Sequence, residues 1–191
     1  MVFLLLLSFP AIYSWVEFFP YYERGQNTSL GQVLTNPFPP FSSISYLLPN
    51  AVSRPHEWLT TDPALRNGYL GIFTLIFFVL AFTRKLGYWQ KFIVAAIIFS
   101  FLFSLGDYTP LRKWCYQFIP LLDSFRHPGV IRLFTTIGII VLSAKMMDEY
   151  FSGTIAKKKL IVTVSALAGL IFILIINFWR INFVFYRGFL K

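Results

Sequence analysis

The chain has 191 residues, of which 57% are hydrophobic and only 13% are charged. Soluble domains carry about 25% charged residues, so this composition excludes an ordinary soluble domain and is typical of an integral membrane protein. The net charge is +9, but basic residues in membrane proteins gather in cytoplasmic loops, so no nucleic-acid partner is predicted. A single cysteine, Cys115, excludes an internal disulfide, and with only two histidines we predict no protein-only metal site.

The apolar segments predict an all-α fold, a polytopic transmembrane helix bundle with about five spans in a single membrane domain. A helix needs about 20 residues to cross roughly 30 Å of hydrocarbon, or somewhat fewer where flanking residues anchor it at the interfaces. The first span contains Pro10, which would kink it, and Glu17, which lies either at the water interface or against a polar cavity. The predicted spans are residues 1–19, 68–83, 92–105, 130–147 and 160–179.

Two long connections separate these spans, at residues 20–67 and 106–129. The first is rich in proline, which removes backbone donors and disfavours helix in the preceding residue, so it predicts a loop. The short connections 84–91 and 145–159 are basic. Because lysine and arginine in short loops mark the cytoplasmic side, we predict a cytoplasmic N-terminus and two outer loops.

The basic segment 180–191 conflicts with this topology, since five spans from a cytoplasmic start place it outside. We therefore favour the interpretation that the chain is a truncated piece of a longer protein.

The connection 106–129 leads into the fourth predicted span through Pro128, which suits the first position of a helix. The free N–H groups and positive dipole end of such a helix favour an anion. Arg126 precedes the helix and Arg132 lies one turn inside it. A cation in the first turn opposes the helix dipole by roughly 0.3–1 kcal/mol, so a compensating group is expected.

That group could be Asp107, Asp123 or a bound phosphate, whose oxygens fit the planar fork of arginine. We predict a substrate-phosphate site at Arg126, Arg132 and His127, with Asp107 as a partner or base. Each residue also has a structural interpretation. The arginines could pair with local carboxylates or lipid head groups, His127 could cap the helix or lie at the interface, and Asp107 could be solvated. Trp114 and Tyr116 fit an interfacial belt or a sugar-stacking platform.

Three blocks of the sequence carry a resemblance: residues 36–38 with 47–50 and 69–71, then 105–111, then 124–132. In this order and spacing they resemble the bacterial membrane protein family YfhO. The third block is similar to the family's F-R-x-P-x-R-type segment, although residues 129–131 lengthen the gap between Pro128 and Arg132.

The resemblance implies part of a GT-C type glycosyltransferase in the bacterial cytoplasmic membrane. Such an enzyme transfers a sugar from a polyprenyl-phosphate donor to a cell-envelope polymer at the outer face, and membrane lipid surrounds it. In this class the catalytic acid lies in the first outer loop, which this chain does not match, so no catalytic residue is assigned and enzymatic activity of this chain stays open. No cofactor is predicted, and a divalent metal in the full-length enzyme is left open. The alternatives are a transporter or flippase of envelope lipids and a non-catalytic membrane scaffold subunit.

Overall fold

The computed structural model describes residues 2–18, 21, 29–49, 51–52, 61–119, 122 and 125–189. All regular structure within these ranges is helical, without a strand. Short 3-10 segments cover Pro40–Tyr46, Gly106–Tyr108 and Pro128–Ile131. The α-helices are α1 (Val2–Phe18), α2 (Leu30–Val33), α3 (Pro63–Arg66), α4 (Ile72–Ala81), α5 (Tyr88–Ser104), α6 (Pro110–Phe118), α7 (Arg132–Phe151) and α8 (Lys157–Phe189).

Two helical stretches among the described residues are long and apolar enough to cross a membrane. They are Pro128–Phe151, with 24 residues, and Lys157–Asn177, with 21 residues. The other predicted spans correspond to shorter helices: α4 has 10 residues and rises about 15 Å, whereas α1 and α5 have 17 residues each and rise about 26 Å. The helical fold is therefore confirmed, but the structure supports two spans rather than the predicted five.

Helix α7 is the centre of the bundle and packs against both α4 and α5. Small and hydroxyl-bearing residues allow a close approach to α5. A Cβ atom on Gly138 would lie 2.5 Å from Cγ1 of Ile97, so no side chain fits there. The hydroxyl groups of Ser100 and Thr135 share a hydrogen bond of 2.8 Å. Small residues and interhelical hydroxyl bonds are typical contacts between membrane helices.

The buried apolar cluster lies where α4, α7 and the start of α8 meet. The hydroxyl of Ser143 on α7 also donates to the carbonyl oxygen of Thr74 on α4 at 2.7 Å. Burial of these side chains stabilises one end of the bundle more than any single polar contact would. The cluster contains Phe77, Leu80, Ala81, Leu142, Met146 and Ile155.

The two basic connections lie together at this end of the bundle. Arg84 forms an ion pair with Glu149, and the amino group of Lys159 donates to the carbonyl oxygen of Thr83 at 3.1 Å. Two details differ from the sequence prediction. Connection 106–129 contains α6, and α8 continues through Phe189 instead of ending at residue 179.

Candidate functional site

Three distant segments meet at the other end of α5 and α7. The backbone N–H of Phe38 donates to the carbonyl oxygen of Ser104 at 2.8 Å. The N–H of Gly129 donates to the carbonyl oxygen of Asn36 at 3.3 Å. We call the contact of residues 36–38 with Gly106 and Gly129 the NPF junction, because all three of its segments come from the blocks described above.

Glycine is required at both of the contact points in the NPF junction. Gly106 has φ +61°, and a Cβ atom there would lie 2.7 Å from Cβ of Pro37 and 3.0 Å from Cγ of Pro128. A Cβ atom on Gly129 would lie 2.8 Å from the carbonyl oxygen of Asn36. Backbone therefore packs directly against backbone and proline rings, which fixes where α7 begins.

His127 lies beside the NPF junction in a left-handed backbone conformation, with φ 62°, and Asn36 opposite has φ 54°. Non-glycine residues in this region are uncommon and cluster at functional sites. The Nδ1 atom of His127 lies 3.0 Å from Nδ2 of Asn36. Because Oδ1 of Asn36 accepts from the N–H of Asp62 at 3.3 Å, Nδ2 is the donor and Nδ1 the acceptor. The predicted cap position of His127 is confirmed by the backbone, but its side chain makes no cap hydrogen bond.

Arg132 finds its compensation in backbone carbonyl groups. Its Nη1 donates to the carbonyl oxygen of Asn67 at 2.6 Å and its Nη2 to that of Ala64 at 3.3 Å. The guanidinium also lies 5.3 Å from the ring centroid of Phe38. These contacts tie the start of α7 to the end of α3. The expectation that a cation here needs a partner is met without Asp107, and Asp123 lies outside the described residues.

Arg132 also lines a groove of about 370 Å³ on the side of α7. Arg132 and Asn67 supply polar groups to the groove, and Oδ1 of Asn67 is buried without a hydrogen-bond partner among the described residues. The rest of the wall is largely apolar. One cation among largely apolar lining residues suits an amphiphile with an anionic head. The further lining residues are Leu65, Gly68, Tyr69, Val130, Leu133 and Thr136.

The other predicted site residues are not brought into this groove. Arg126 is half-buried, and its guanidinium forms no hydrogen bond or ion pair with any residue that the structure describes. Asp107 is exposed and likewise has no ion-pair partner within the described ranges. In this structure Asp107 is not paired with Arg126 or Arg132, and its exposure fits the solvated alternative. Its role as a base stays a prediction.

Sequence reasoning missed Arg112, which is only 1% exposed on α6. Its Nη2 donates to the carbonyl oxygens of Leu122, at 3.2 Å, and Phe125. Its guanidinium lies 4.7 Å from the ring centroid of Phe103. Burial lowers the pKa of the Arg112 guanidinium. The arginine thus holds the chain segment that leads into Arg126, and only its place in a mixed apolar and basic stretch could have indicated this.

Sequence reasoning also missed Tyr46, a polar side chain near Arg132 of the groove. Its ring packs against Phe38, with centroids 5.7 Å apart, and its hydroxyl is buried without a partner in the described part of the chain. Burial raises the pKa of Tyr46 to about 12, although the positive charge of Arg132 acts in the opposite direction. The tyrosine therefore stays neutral at physiological pH.

Among the described residues, no group of three or more His, Cys, Asp or Glu side chains could hold a metal ion.

In comparisons with known proteins, no family model, no curated protein and no solved structure matched the chain. What supports a function is therefore the geometry of the NPF junction and the adjoining groove.

Proposed function

We propose that this chain is part of a membrane glycosyltransferase resembling the YfhO family. It would help transfer a sugar from a polyprenyl-phosphate carrier to a cell-envelope polymer at the outer face of the bacterial cytoplasmic membrane. One observation carries the proposal: the three sequence blocks of the resemblance, far apart in the chain, meet at the NPF junction. The convergence of the three blocks at one place is what supports the resemblance.

The chemistry beside the NPF junction supports a phosphate-bearing substrate. Arg132 lines the groove and supplies a cation there, and the apolar side chains of Val130 and Leu133 suit the start of a polyprenyl chain. Although two N–H groups of Arg132 bind carbonyl oxygens, a guanidinium has five N–H donors, so a phosphate oxygen can still be bound. Outside the groove, Arg126 is a second half-buried cation, without a carboxylate partner among the described residues.

The same arrangement supports the proposed topology. The basic connections lie at one end of the bundle and the NPF junction at the other. With the basic end in the cytoplasm, the groove opens near the outer interface, where a polyprenyl phosphate presents its head group. In this proposal α1, α4 and α5 also cross the membrane, as in a GT-C bundle, with local thinning of the bilayer and interfacial anchors offsetting their short length.

Binding is tested on the purified chain in detergent with geranylgeranyl phosphate as the probe and geranylgeraniol as its uncharged control. We expect tighter binding of the phosphate, and a loss of that preference in Arg132→Gln. Lys113→Gln is the matched control, because Lys113 is an exposed cation on α6 outside the groove. Equal affinity for phosphate and alcohol in the wild type would contradict the proposed site.

Transfer is tested in bacterial membranes that contain the protein in its full-length context. The assay follows a radiolabelled sugar from its polyprenyl-phosphate carrier into envelope polymer. We expect Arg126→Ala to abolish incorporation while the protein level on immunoblots stays unchanged. Wild-type incorporation by this variant would overturn the assignment of Arg126. Carrier flux into proteoliposomes without any transfer would favour the flippase alternative.

A further inference from the structure

The end of the bundle opposite the NPF junction is a dense basic surface. It is formed by the end of α4, the start of α5, the end of α7 and the start of α8, which the ion pair of Arg84 with Glu149 holds together. We call this surface the basic end. Its cations are Arg84, Lys85, Lys91, Lys145, Lys157, Lys158 and Lys159.

The two carboxylates at the basic end already form ion pairs with its cations. Glu149 is paired with Arg84 and lies 3.7 Å from the amino group of Lys145. Asp148 lies 3.4 Å from the same amino group. Internal pairing therefore neutralises only part of the surface, and the remaining cations have to be balanced from outside.

Three exposed lysines at the basic end have no partner within the part of the chain that the structure describes. Lys85, Lys157 and Lys158 form no ion pair or hydrogen bond with any described residue. Their neighbours are engaged differently, since Lys159 binds the carbonyl oxygen of Thr83. Like charges this close repel one another, and an anionic surface would relieve that repulsion.

Exposed aromatic side chains accompany these lysines. Tyr88 is 93% exposed, and the amino group of Lys91 lies 5.7 Å from its ring centroid. Aromatic side chains are enriched at the level of lipid head groups, where one side is apolar and the other is wet. The other exposed aromatics at this end are Phe82, Trp89, Phe92 and Phe151.

We infer that the basic end binds anionic phospholipid head groups, with Lys85, Lys157 and Lys158 supplying the free charge and the aromatic side chains lying at the interface. Basic residues beside an anionic membrane each contribute about 1 kcal/mol, or roughly fivefold in affinity. The inference does not depend on sugar transfer, because it concerns the opposite end of the bundle.

The test is native mass spectrometry of the purified chain in detergent, titrated with POPG or with POPC. We expect the wild type to bind POPG more tightly. We expect Lys85→Gln/Lys157→Gln/Lys158→Gln to lose about fivefold in POPG affinity for each lysine removed, with POPC binding unchanged. Lys113→Gln, which changes a cation outside the basic end, is expected to behave like the wild type.

Three outcomes would overturn the inference: equal binding of POPG and POPC by the wild type, an unchanged POPG preference in the triple variant, or a POPG preference that does not depend on salt. If the triple variant unfolds, Lys157→Gln alone replaces it, with folding checked by circular dichroism. In addition, raising the salt concentration should weaken POPG binding to the wild type, because the interaction is electrostatic.

Discussion

Replacing Gly106 by alanine is the most direct test of the NPF junction. The new Cβ would lie 2.7 Å from Pro37 and 3.0 Å from Pro128, and both neighbours are rigid rings that cannot turn away. The left-handed backbone, with φ +61°, adds a further strain. The conformational term is about 1–2 kcal/mol and the overpacking term about 1–3 kcal/mol, so Gly106→Ala should destabilise the chain by about 2–5 kcal/mol.

Three other glycines separate these two terms. Gly129→Ala introduces a contact of 2.8 Å without a left-handed backbone, and Gly153→Ala has φ +79° without a neighbour within 4 Å. Gly31→Ala in α2 has neither problem and should be neutral or slightly stabilising. The expected order of destabilisation places Gly106→Ala first and Gly31→Ala last.

The assay is thermal unfolding in detergent, followed with a thiol-reactive dye that reports exposure of Cys115, the single cysteine of the chain. A change of 1 kcal/mol shifts Tm by roughly 2–4 °C in a chain of this size, so the loss in Gly106→Ala should be of the order of 10 °C. Equal Tm values for Gly106→Ala and Gly153→Ala would refute the packing of Gly106 between the two proline rings.

Three further predictions test other contacts. Because the pKa of Tyr46 is raised from 10.0 to about 12, its contribution to stability is present below pH 10 and lost as the pH rises toward 12. Circular dichroism over this range should show a steeper loss of structure in the wild type than in Tyr46→Phe. Gly138→Val should lower Tm because it forces α5 and α7 apart: a Cβ atom at position 138 would lie 2.5 Å from Cγ1 of Ile97. Adding Ile97→Ala, which removes that Cγ1 atom, should recover part of the loss in Tm. A double-mutant cycle on Arg84→Gln and Glu149→Gln should give a coupling of only about 0.2–1 kcal/mol, as for other ion pairs near a surface.

Local sequence signals predicted the presence of the helices better than they predicted the lengths of the helices. Pro128 marked the start of the α7 stretch correctly, since proline suits the first helical position. Helix α5 begins at Tyr88, four residues earlier than predicted, because the side chain of Gln90 reaches back to the N–H of Gly87 at 2.7 Å. Helix α4 is short because Gly71 directly before it has φ 85°. Such capping details are not visible in a hydrophobicity pattern.

Only part of the candidate site could be predicted from the sequence, and the reason differs from the one that applies to the helix lengths. The need for a group to compensate Arg132 follows from the helix dipole, which is a local property. The groups that meet it are carbonyl oxygens of Ala64 and Asn67, and any residue could have supplied those. The burial of Arg112 likewise depends on how α6 packs against Phe103. Long-range contacts of this kind leave no local signature in one sequence.

The NPF junction also sets a waiting time during synthesis. Gly129 emerges from the ribosome about 90 residues after Asn36, which at roughly 5–20 residues per second is a delay of about 5–20 s. Phe38 lacks its backbone partner until Ser104 has been made, and Asn36 lacks its backbone partner until Gly129 has been made. Three of the five residues 36–40 are prolines, which have no N–H to leave unpaired. The proline-rich composition of this segment therefore limits the hydrogen-bond donors that a half-made chain exposes beside the membrane.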